Sequence, residues 1–278
     1  MISKAILKKV YKKRDDWSCK YDFGSLLVVG GSKSYHGSPT FNALAALRSG
    51  CDLVTVVAPE RAANIIASYS PDLITYPLKG DFLRREHLND LLKLAEKKAA
   101  VVVGGGLGRD IETMMTVDEF LKRTDIPCVI DADAIHAVAK NKKAIKSNHL
   151  ITPHTREFFA LSGIKLRRNI SRREEFVQKI AKELGCTILL KGFVDVISDG
   201  RKTEMNKTGN PYMTKGGTGD TLAGICGSLL AQGINVFDAA CAAAYINGAA
   251  GDLAAKEKKQ SLLASDLIEK ISEVIKLY

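Results

Sequence analysis

The sequence predicts an α/β fold in which a mostly parallel sheet carries helices on both faces. Two observations lead to this prediction. First, apolar runs of strand length recur along the chain as continuous Val, Ile and Leu, and such runs are typical of strands buried on both faces. Second, segments with the apolar spacing of helices separate most of these runs, which is typical of βαβ units.

The individual elements follow from these patterns. Seven strands are predicted, at 25–30, 53–58, 73–76, 100–103, 127–130, 150–152 and 187–191. Six helices are predicted, at 39–49, 61–69, 84–98, 113–122, 171–184 and 218–232. The pair Asp199-Gly200 predicts one late hairpin, followed by a short polar segment at 201–205. The last third is predicted to be helical.

The alanine-rich stretch 239–255 belongs to this helical region. Asn247 and Asp252 interrupt it, so we do not expect a membrane segment. Its small residues favour close packing between helices.

The composition excludes several classes of protein. A chain of 278 residues with 46% hydrophobic and 26% charged residues is ordinary for a globular protein, which excludes disorder, collagen and coiled coil. No linker, repeat or composition break marks a boundary, so residues 1–278 are predicted to form a single domain. No run approaches the roughly 18 apolar residues of a membrane span, and no signal peptide is evident. We therefore expect a cytoplasmic protein with no membrane partner.

The six cysteines are scattered without a C-x-x-C pair. This spacing indicates neither a zinc site nor a disulfide framework, so we expect them to be small buried residues. The net charge of +10 is spread along the chain, and a phosphate-bearing small ligand accounts for it as well as nucleic acid does. Because no aromatic and basic platform is present, we expect no nucleic-acid partner.

The strongest chemical motif is the segment 215–224, in which a glycine-rich turn opens directly into an apolar helix. Such a turn directs backbone N–H groups and a helix N-terminus at one anion. Asp220 falls in the first helical turn, where a carboxylate could deprotonate an attacking hydroxyl. Taken alone, the segment fits equally well an ordinary loop followed by a helix N-terminal carboxylate.

Other polar segments follow predicted strands and should share the carboxyl edge of the sheet, where α/β sheets bind ligands. They are 104–108, 131–134, 152–157 and 191–192. The first does not fit G-x-G-x-x-G because Arg109 occupies the last position, and no G-x-x-x-x-G-K-[ST] motif occurs. Each segment alone has a structural explanation: a strand-to-helix turn, Asp133 as a helix cap, His154 in a turn, or exposed Glu157 and Lys191. Their shared position instead predicts a cleft.

Seven motifs, in order, resemble those of the ADP-dependent NAD(P)H-hydrate dehydratases of the ribokinase-like superfamily. They lie at 30–32 with 35–38, 46–50, 104–108, 131–134, 152–154 with Glu157, 191–192, and 208–224. The resemblance spans about residues 23–271. It implies a ribokinase-like three-layer sandwich with a mostly parallel central sheet.

The resemblance also implies a repair activity, the dehydration of the S epimer of hydrated NADH or NADPH (NADHX or NADPHX). ADP would be the co-substrate, and AMP and phosphate the products. Hydroxide is a poor leaving group, whereas a phosphorylated hydroxyl can be expelled by the ring nitrogen. In this family pattern Asp220 is the base, while Gly216, Gly217 and Gly219 form the anion hole.

Further roles follow by matched position. The hydrated nicotinamide nucleotide would contact Ser38, Gly106, His154 and Asp220. The adenine nucleotide would contact Lys191, Gly192, Phe193, Val194, Asp195, Gly216 and Gly219. Glu157 resembles the acidic residue near Mg²⁺ in the superfamily. The chain departs from the family at Ser38, Gly105, Thr155 and Thr214-Lys215, where Ala, Pro, Pro and Ala-Thr are common.

The resemblance further implies a homo-oligomer, specifically a tetramer. Since only some twenty residues precede the first predicted strand, we expect dehydratase activity without the epimerase domain that some family members carry. Two alternatives stay open: a vitamin or sugar kinase of the same superfamily, and a non-catalytic adenine-nucleotide sensor. His154, where those kinases commonly have Asn, and the lead-in 208–211 argue against the kinase, and Asp220 argues against the sensor. The residues do not distinguish ADP from ATP, or NADHX from NADPHX.

Overall fold

The computed structural model describes residues 1–167 and 169–276. The strands are β1 (Ser25–Val29), β2 (Leu53–Pro59), β3 (Ile74–Leu78), β4 (Ala100–Val103), β5 (Cys128–Ile130), β6 (His149–Ile151), β7 (Thr187–Leu190), β8 (Asp195–Ser198) and β9 (Thr203–Asn206). The helices are α1 (Leu7–Val10), α2 (Gly37–Arg48), α3 (Glu60–Ala67), α4 (Leu88–Ala95), α5 (Ile111–Arg123), α6 (Asp133–Lys140), α7 (Thr155–Ser162), α8 (Ile170–Leu184), α9 (Thr218–Ala231), α10 (Val236–Lys258) and α11 (Ala264–Lys276).

The strands form one sheet in the order β3-β2-β1-β4-β5-β6-β7-β8-β9. Pairing is parallel from β3 to β7, and β8 and β9 are antiparallel. The predicted parallel sheet and the seven predicted strands are confirmed. The chain moves outward from β1 to β3 and then returns to β4 on the other side of β1. This reversal places a topological switch point between β1 and β4, where such sheets bind ligands.

Strand β1 shows why the buried strands are apolar throughout. Leu26 and Val28 pack into one core with α2, α9, α10 and α11, whereas Leu27 and Val29 pack into a second core with α4, α5, α6 and α8. Both faces of the sheet are therefore covered by helices. This arrangement confirms the predicted three layers.

The hairpin at Asp199-Gly200 is confirmed, and most of the polar segment 201–205 that follows it belongs to β9. The Oδ1 atom of Asp199 accepts the N–H groups of Arg201 and Lys202 at 2.8 and 2.7 Å, and Gly200 has a φ of 85°. The chain then returns as β9. Because β9 is an edge strand and only partly buried, it does not need a continuous apolar run.

Two short helices, α6 and α7, lie where only polar strand ends were recognised. Each has eight residues, too few for a clear apolar period. The predicted helix at 84–98 is a 3₁₀ turn, Arg85–His87, followed by α4. The predicted helical region at 238–255 is confirmed as part of α10.

Five cysteines are buried, but Cys19 is exposed, so the expectation of burial is wrong for that residue. Within residues 1–167 and 169–276, no three His, Cys, Asp or Glu side chains form a group that could hold a metal ion. Over the same ranges, no helix combines the length and hydropathy needed to cross a bilayer.

Candidate active site

The carboxyl ends of β1, β4 and β5 meet through backbone contacts between glycines. The N–H of Gly31 donates to the carbonyl oxygen of Gly105 at 2.8 Å. Gly104 has a φ of +136°, and a Cβ atom there would overlap the carbonyl oxygen of Asp131. The segment 104–106 therefore has no room for side chains at the point where the strands diverge. The absence of side chains lets a ligand approach the backbone closely.

The glycine turn is built as the sequence predicts, with α9 beginning at Thr218. Gly217 has a φ of +99°, and a Cβ atom there would lie 2.7 Å from both Phe41 and Ala264. The Thr218 hydroxyl closes the turn by donating to Met213 O at 2.8 Å. No side chain of the described residues caps the N-terminus of α9, so its first backbone N–H groups are available to an anion.

Asp220 lies in the first turn of α9. Its Oδ1 atom is 3.1 Å from the position that a Cβ atom of Gly105 would take, and the Cβ atom of Ser38 is 2.9 Å from the same point. Burial raises the pKa of Asp220 to about 7, and the neighbouring Asp131 carboxylate acts in the same direction, while Lys191 and Ser38 oppose it. This carboxyl group is therefore suited to general-base chemistry at neutral pH.

Lys191 is held by a buried carboxylate at the end of β5. Its Nζ atom is 2.8 Å from Asp131 Oδ1, which also accepts the Thr152 hydroxyl at 2.7 Å. The same Nζ atom is 3.4 Å from the position of a Cβ atom on Gly219. Burial opposes the charged form, but the Asp131 and Glu157 carboxylates outweigh it and raise the pKa of Lys191. An ammonium group therefore lies next to the glycine turn, and Lys191 is not merely a surface charge.

His154 and Glu157 form a capping box at the start of α7. The Nδ1 atom of His154 accepts the N–H groups of Arg156 and Glu157, both at 3.1 Å. The Glu157 carboxylate accepts the His154 N–H at 2.8 Å. Glu157 is only 5% exposed, which excludes the solvent-facing alternative. Burial raises its pKa, and the charge of Lys191 opposes that shift.

The segment 191–195 forms a tight turn after β7. The Gly192 N–H donates to Asp195 Oδ1 at 3.0 Å, and Asn206 Nδ2 donates to Asp195 Oδ2 at 3.1 Å. Burial raises the pKa of Asp195 to about 6. Phe193 is 90% exposed, whereas Val194 is 4% exposed. Val194 could therefore contact a nucleotide chiefly through its backbone, whereas the exposed ring of Phe193 could contact one directly.

The predicted residues fall into two groups at one edge of the sheet. Ser38 and Gly106 lie at the switch point, where the Ser32 hydroxyl donates to Gly106 O at 2.8 Å. His154, Glu157 and the segment 191–195 lie toward β6 and β7. Asp220 stands between the groups, since its carboxylate and Ser38 both approach Gly105, and the preceding residue, Gly219, approaches Lys191 Nζ.

Several residues of this edge were not predicted as site residues. Asn42 donates through Nδ2 to Asp220 O at 2.7 Å, and it is a buried amide on the otherwise apolar side of α2. A lone amide in such a pattern is the signal that could have revealed it. Asp131 and Thr152 stood inside predicted motifs, but their contacts depend on tertiary structure.

Asp133 is the first residue of α6 rather than its cap, since Ala132 with a φ of 50° occupies the cap position. Its carboxylate accepts the Gly108 N–H at 3.0 Å and the Arg109 Nε at 2.7 Å. Asp133 thus secures the turn 104–109 beside the switch point.

Sequence comparison relates the chain to proteins of NAD(P)H-hydrate repair. The profile of the NAD(P)H-hydrate dehydratase family matches residues 26–273. The chain is 43% identical over 272 residues to a bifunctional NAD(P)H-hydrate repair enzyme of Pyrobaculum aerophilum, an alignment that covers 96% of this chain and 53% of that enzyme. It is 38% identical over 278 residues to an ADP-dependent (S)-NAD(P)H-hydrate dehydratase of Cenarchaeum symbiosum, with 99% and 96% covered. The chain spans about half the length of the bifunctional relatives.

A solved structure extends the comparison to the fold. An ADP/ATP-dependent NAD(P)H-hydrate dehydratase from Bacillus subtilis, co-crystallized with ATP and Mg²⁺, is 25% identical with a TM-score of 0.82, covering 99% of this chain and 97% of that one. The predicted ribokinase-like fold is confirmed. Because the family profile covers most of the chain and one relative aligns over its full length, the chain belongs to the NAD(P)H-hydrate dehydratase family.

Proposed function

We propose that this protein dehydrates the S epimer of NADHX or NADPHX to NADH or NADPH, with ADP as co-substrate and AMP and phosphate as products. The observation that carries this proposal is the position of Asp220. A carboxyl group with a pKa of about 7 stands in the first turn of an uncapped helix, beside the partly buried ammonium group of Lys191. A base and an anion site therefore adjoin each other, as phosphoryl transfer to a hydroxyl requires.

Asp220 takes the proton of the hydrate hydroxyl as that oxygen attacks the terminal phosphorus of ADP. The bond from that phosphorus to the bridging oxygen breaks, and AMP leaves. The lone pair of the ring nitrogen then expels phosphate from the carbon that carried the hydroxyl. Loss of a proton from the neighbouring CH2 carbon of the ring restores the dihydronicotinamide. The sum is removal of one water, with ADP converted to AMP and phosphate.

The glycine turn and Lys191 stabilise the transferred group. The backbone N–H groups of Gly216, Gly217 and Gly219 are preorganised donors, and such donors need no reorientation during the reaction. Lys191 supplies a positive charge next to Gly219. Asp131 keeps that charge in place before the nucleotide binds.

Mg²⁺ fits the acidic groups beside Lys191. This ion is usually held by one or two carboxylates together with substrate phosphates, and Glu157 and Asp131 are buried carboxylates at this edge. Glu157 would hold the ion, with Asp131 nearby, and the ion would offset charge between the phosphates.

The two nucleotides occupy the two groups of residues described above. The adenine nucleotide lies along Lys191–Asp195, with the exposed Phe193 ring beside it. The hydrated nicotinamide nucleotide lies against Ser38, Gly106 and His154. Cytoplasmic location and a homo-oligomeric, tetrameric assembly are further proposals that rest on the family resemblance, and light scattering of the purified protein tests the assembly.

The product balance tests the proposed reaction. Purified protein is incubated with hydrated NADH, ADP and Mg²⁺, and AMP, phosphate and NADH are quantified. We expect the three products in equal amounts. A vitamin or sugar kinase would instead accumulate a phosphorylated product without NADH, and a nucleotide sensor would bind ADP without forming AMP. Either result would contradict the proposal.

A further inference from the structure

Helix α10 contacts both ends of the segment that leads into the glycine turn. Asp252 accepts the Gly209 N–H at 3.0 Å and the Asn210 side-chain amide at 2.9 Å. Five residues earlier on the helix, Asn247 contacts the start of α9. These positions, at i and i+5, bracket Gly248 and Gly251, where a Cβ atom would overlap Thr208 and Met213 respectively. The loop therefore packs directly against α10 backbone.

The contacts of Asn247 are confined to the first turn of α9. Its Oδ1 atom accepts the Thr221 hydroxyl at 2.7 Å, and its Nδ2 atom donates to the Thr218 carbonyl oxygen at 3.3 Å. Those two residues flank Gly219 and Asp220 in the sequence. Asn247 is only 6% exposed, so both polar atoms of its amide would be costly to bury without these partners.

The helix around Asn247 does not need an amide for its own stability. Its neighbours are largely buried alanines, and alanine is a better helix former than asparagine. An apolar residue at this position would satisfy both the helix and the core. The amide is therefore explained by its hydrogen bonds to Thr218 and Thr221 in the first turn of α9.

We infer that Asn247 and Asp252 are positioning residues, which fix the glycine turn and Asp220 from the α10 side. Asn247 holds the turn that carries Asp220, and Asp252 holds the loop that enters it. Both act through backbone and side-chain contacts within the protein. This inference rests on the proposed function, because the group being positioned is the proposed base and anion hole.

Asn247→Leu tests the inference, since leucine is of similar size and lacks both polar atoms. We expect kcat/KM for ADP to fall about 10- to 100-fold, the range in which small displacements of reacting groups act. Ile246→Val is the matched control, because Ile246 is fully buried on the same helix and the change removes one methylene. Melting temperatures of both variants are measured in parallel. An Asn247→Leu enzyme with wild-type kcat/KM, or a loss equal to that of the control, would overturn the inference.

A double-mutant cycle separates positioning from simple loss of stability. Thr221→Val removes the hydroxyl that Asn247 accepts, and Thr221→Ser keeps it. We expect Thr221→Val to lower kcat/KM, Thr221→Ser to retain it, and Thr221→Val combined with Asn247→Leu to lose little beyond Asn247→Leu alone. Fully additive losses would contradict the inference. Asp252→Ala gives an independent test at the other end of the loop, with the same direction of change.

Two separate measurements distinguish failure of this inference from failure of the proposed reaction. If wild-type protein forms no NADH from hydrated NADH, the proposed reaction fails, whatever the variants do. Binding of ADP, measured by calorimetry, then still reports on the glycine turn. We expect Asn247→Leu to weaken ADP binding whereas Ile246→Val does not, and equal affinities would overturn the positioning role.

Discussion

Asp220 owes its suitability as a base to where the fold places it. Burial at the edge of the sheet and the nearby Asp131 carboxylate raise its pKa, while Lys191 and Ser38 limit the rise. These opposing influences set the pKa close to neutrality, which is where a general base works best at physiological pH. The same carboxyl group on an exposed helix would be ionised but far less basic.

Replacement of Asp220 by Asn should separate binding from chemistry. The amide has nearly the same shape but cannot accept the substrate proton, so we expect kcat to fall about 10²- to 10⁴-fold while ADP still binds. Absorbance recovery from hydrated NADH gives kcat, and calorimetry gives the affinity for ADP. Undiminished turnover in Asp220→Asn would remove this residue from the catalytic role.

The pKa of Asp220 also predicts the pH dependence of the reaction. Because the base must be deprotonated in the free enzyme, kcat/KM should rise with pH up to about 7 and then level off. Initial rates from mildly acidic to mildly alkaline buffers measure this profile. A rate that stays constant across that range would show that no group with this pKa acts as the base.

Asp220 should also make the folded protein less stable at higher pH. Its pKa is about 7 in the folded chain against an ordinary value of 3.8, so the unfolded state loses its proton first as pH rises. The stability contributed by this group is full below about 3.8 and is lost as pH rises to about 7. Asp220→Asn has no such charge, so its melting temperature should exceed that of wild type by more at alkaline than at acidic pH. A constant difference would contradict this expectation.

Residue-level prediction succeeded for groups within one motif and failed for contacts between motifs. Asp220 and the glycines lie together in the sequence, so their place at a helix start follows from local rules. The ion pair of Lys191 with Asp131 joins residues 60 positions apart. No local pattern specifies that contact, although both of its members act on the pKa of Asp220, Asp131 raising it and Lys191 lowering it.

At the scale of elements, the glycine turn and α9 form one unit with α2 and α11. Gly217 lets the chain pass between Phe41 of α2 and Ala264 of α11 with a φ that other residues rarely adopt. The N-terminus of α9 is thereby aimed at the switch point between β1 and β4. The packing of Gly217 against α2 and α11 therefore sets the orientation of the first backbone N–H groups of α9.

Gly217→Ala should disturb this unit more than an equivalent change elsewhere. The positive φ alone costs about 1 to 2 kcal/mol with a Cβ atom present, and here that atom would also lie 2.7 Å from Phe41 and Ala264. We expect lower stability and a large loss of kcat/KM. Gly185→Ala is the matched control, since it has a φ of +64° with open space around it. Equal activity losses in the two variants would contradict the role assigned to the turn.

The elements that were predicted and those that were missed differ in burial and length. β1, β2 and β4 are buried on both faces, so their apolar runs are unambiguous. β8 was missed because it is short and begins with a carboxylate that serves the preceding turn. α7 was missed because it is short and capped by an unusual residue, His154. Short elements of this kind are easier to find from the polar residues of their motifs than from the spacing of their apolar residues.

For the whole molecule, the two groups of predicted site residues lie at the same edge of one sheet. The switch point between β1 and β4 and the ends of β6 and β7 are separated by β5, whose terminal Asp131 contacts Lys191. Helix α9 packs along one face of the sheet, with Gly227 against Leu26 and Val102, and its first turn places Asp220 near Gly105 at this edge. The proposed reaction requires two nucleotides to meet at one base, and this strand order brings both groups of residues to the edge where Asp220 lies.

We propose that the residues at this edge of the sheet use ADP to convert hydrated NADH to NADH. The most direct measurement is recovery of dihydronicotinamide absorbance with purified protein, Mg²⁺ and hydrated NADH, comparing ADP, ATP and no nucleotide in parallel. We predict recovery only with nucleotide, and faster with ADP than with ATP. No recovery with either nucleotide, despite tight ADP binding, would contradict the claim and favour a kinase or a nucleotide sensor.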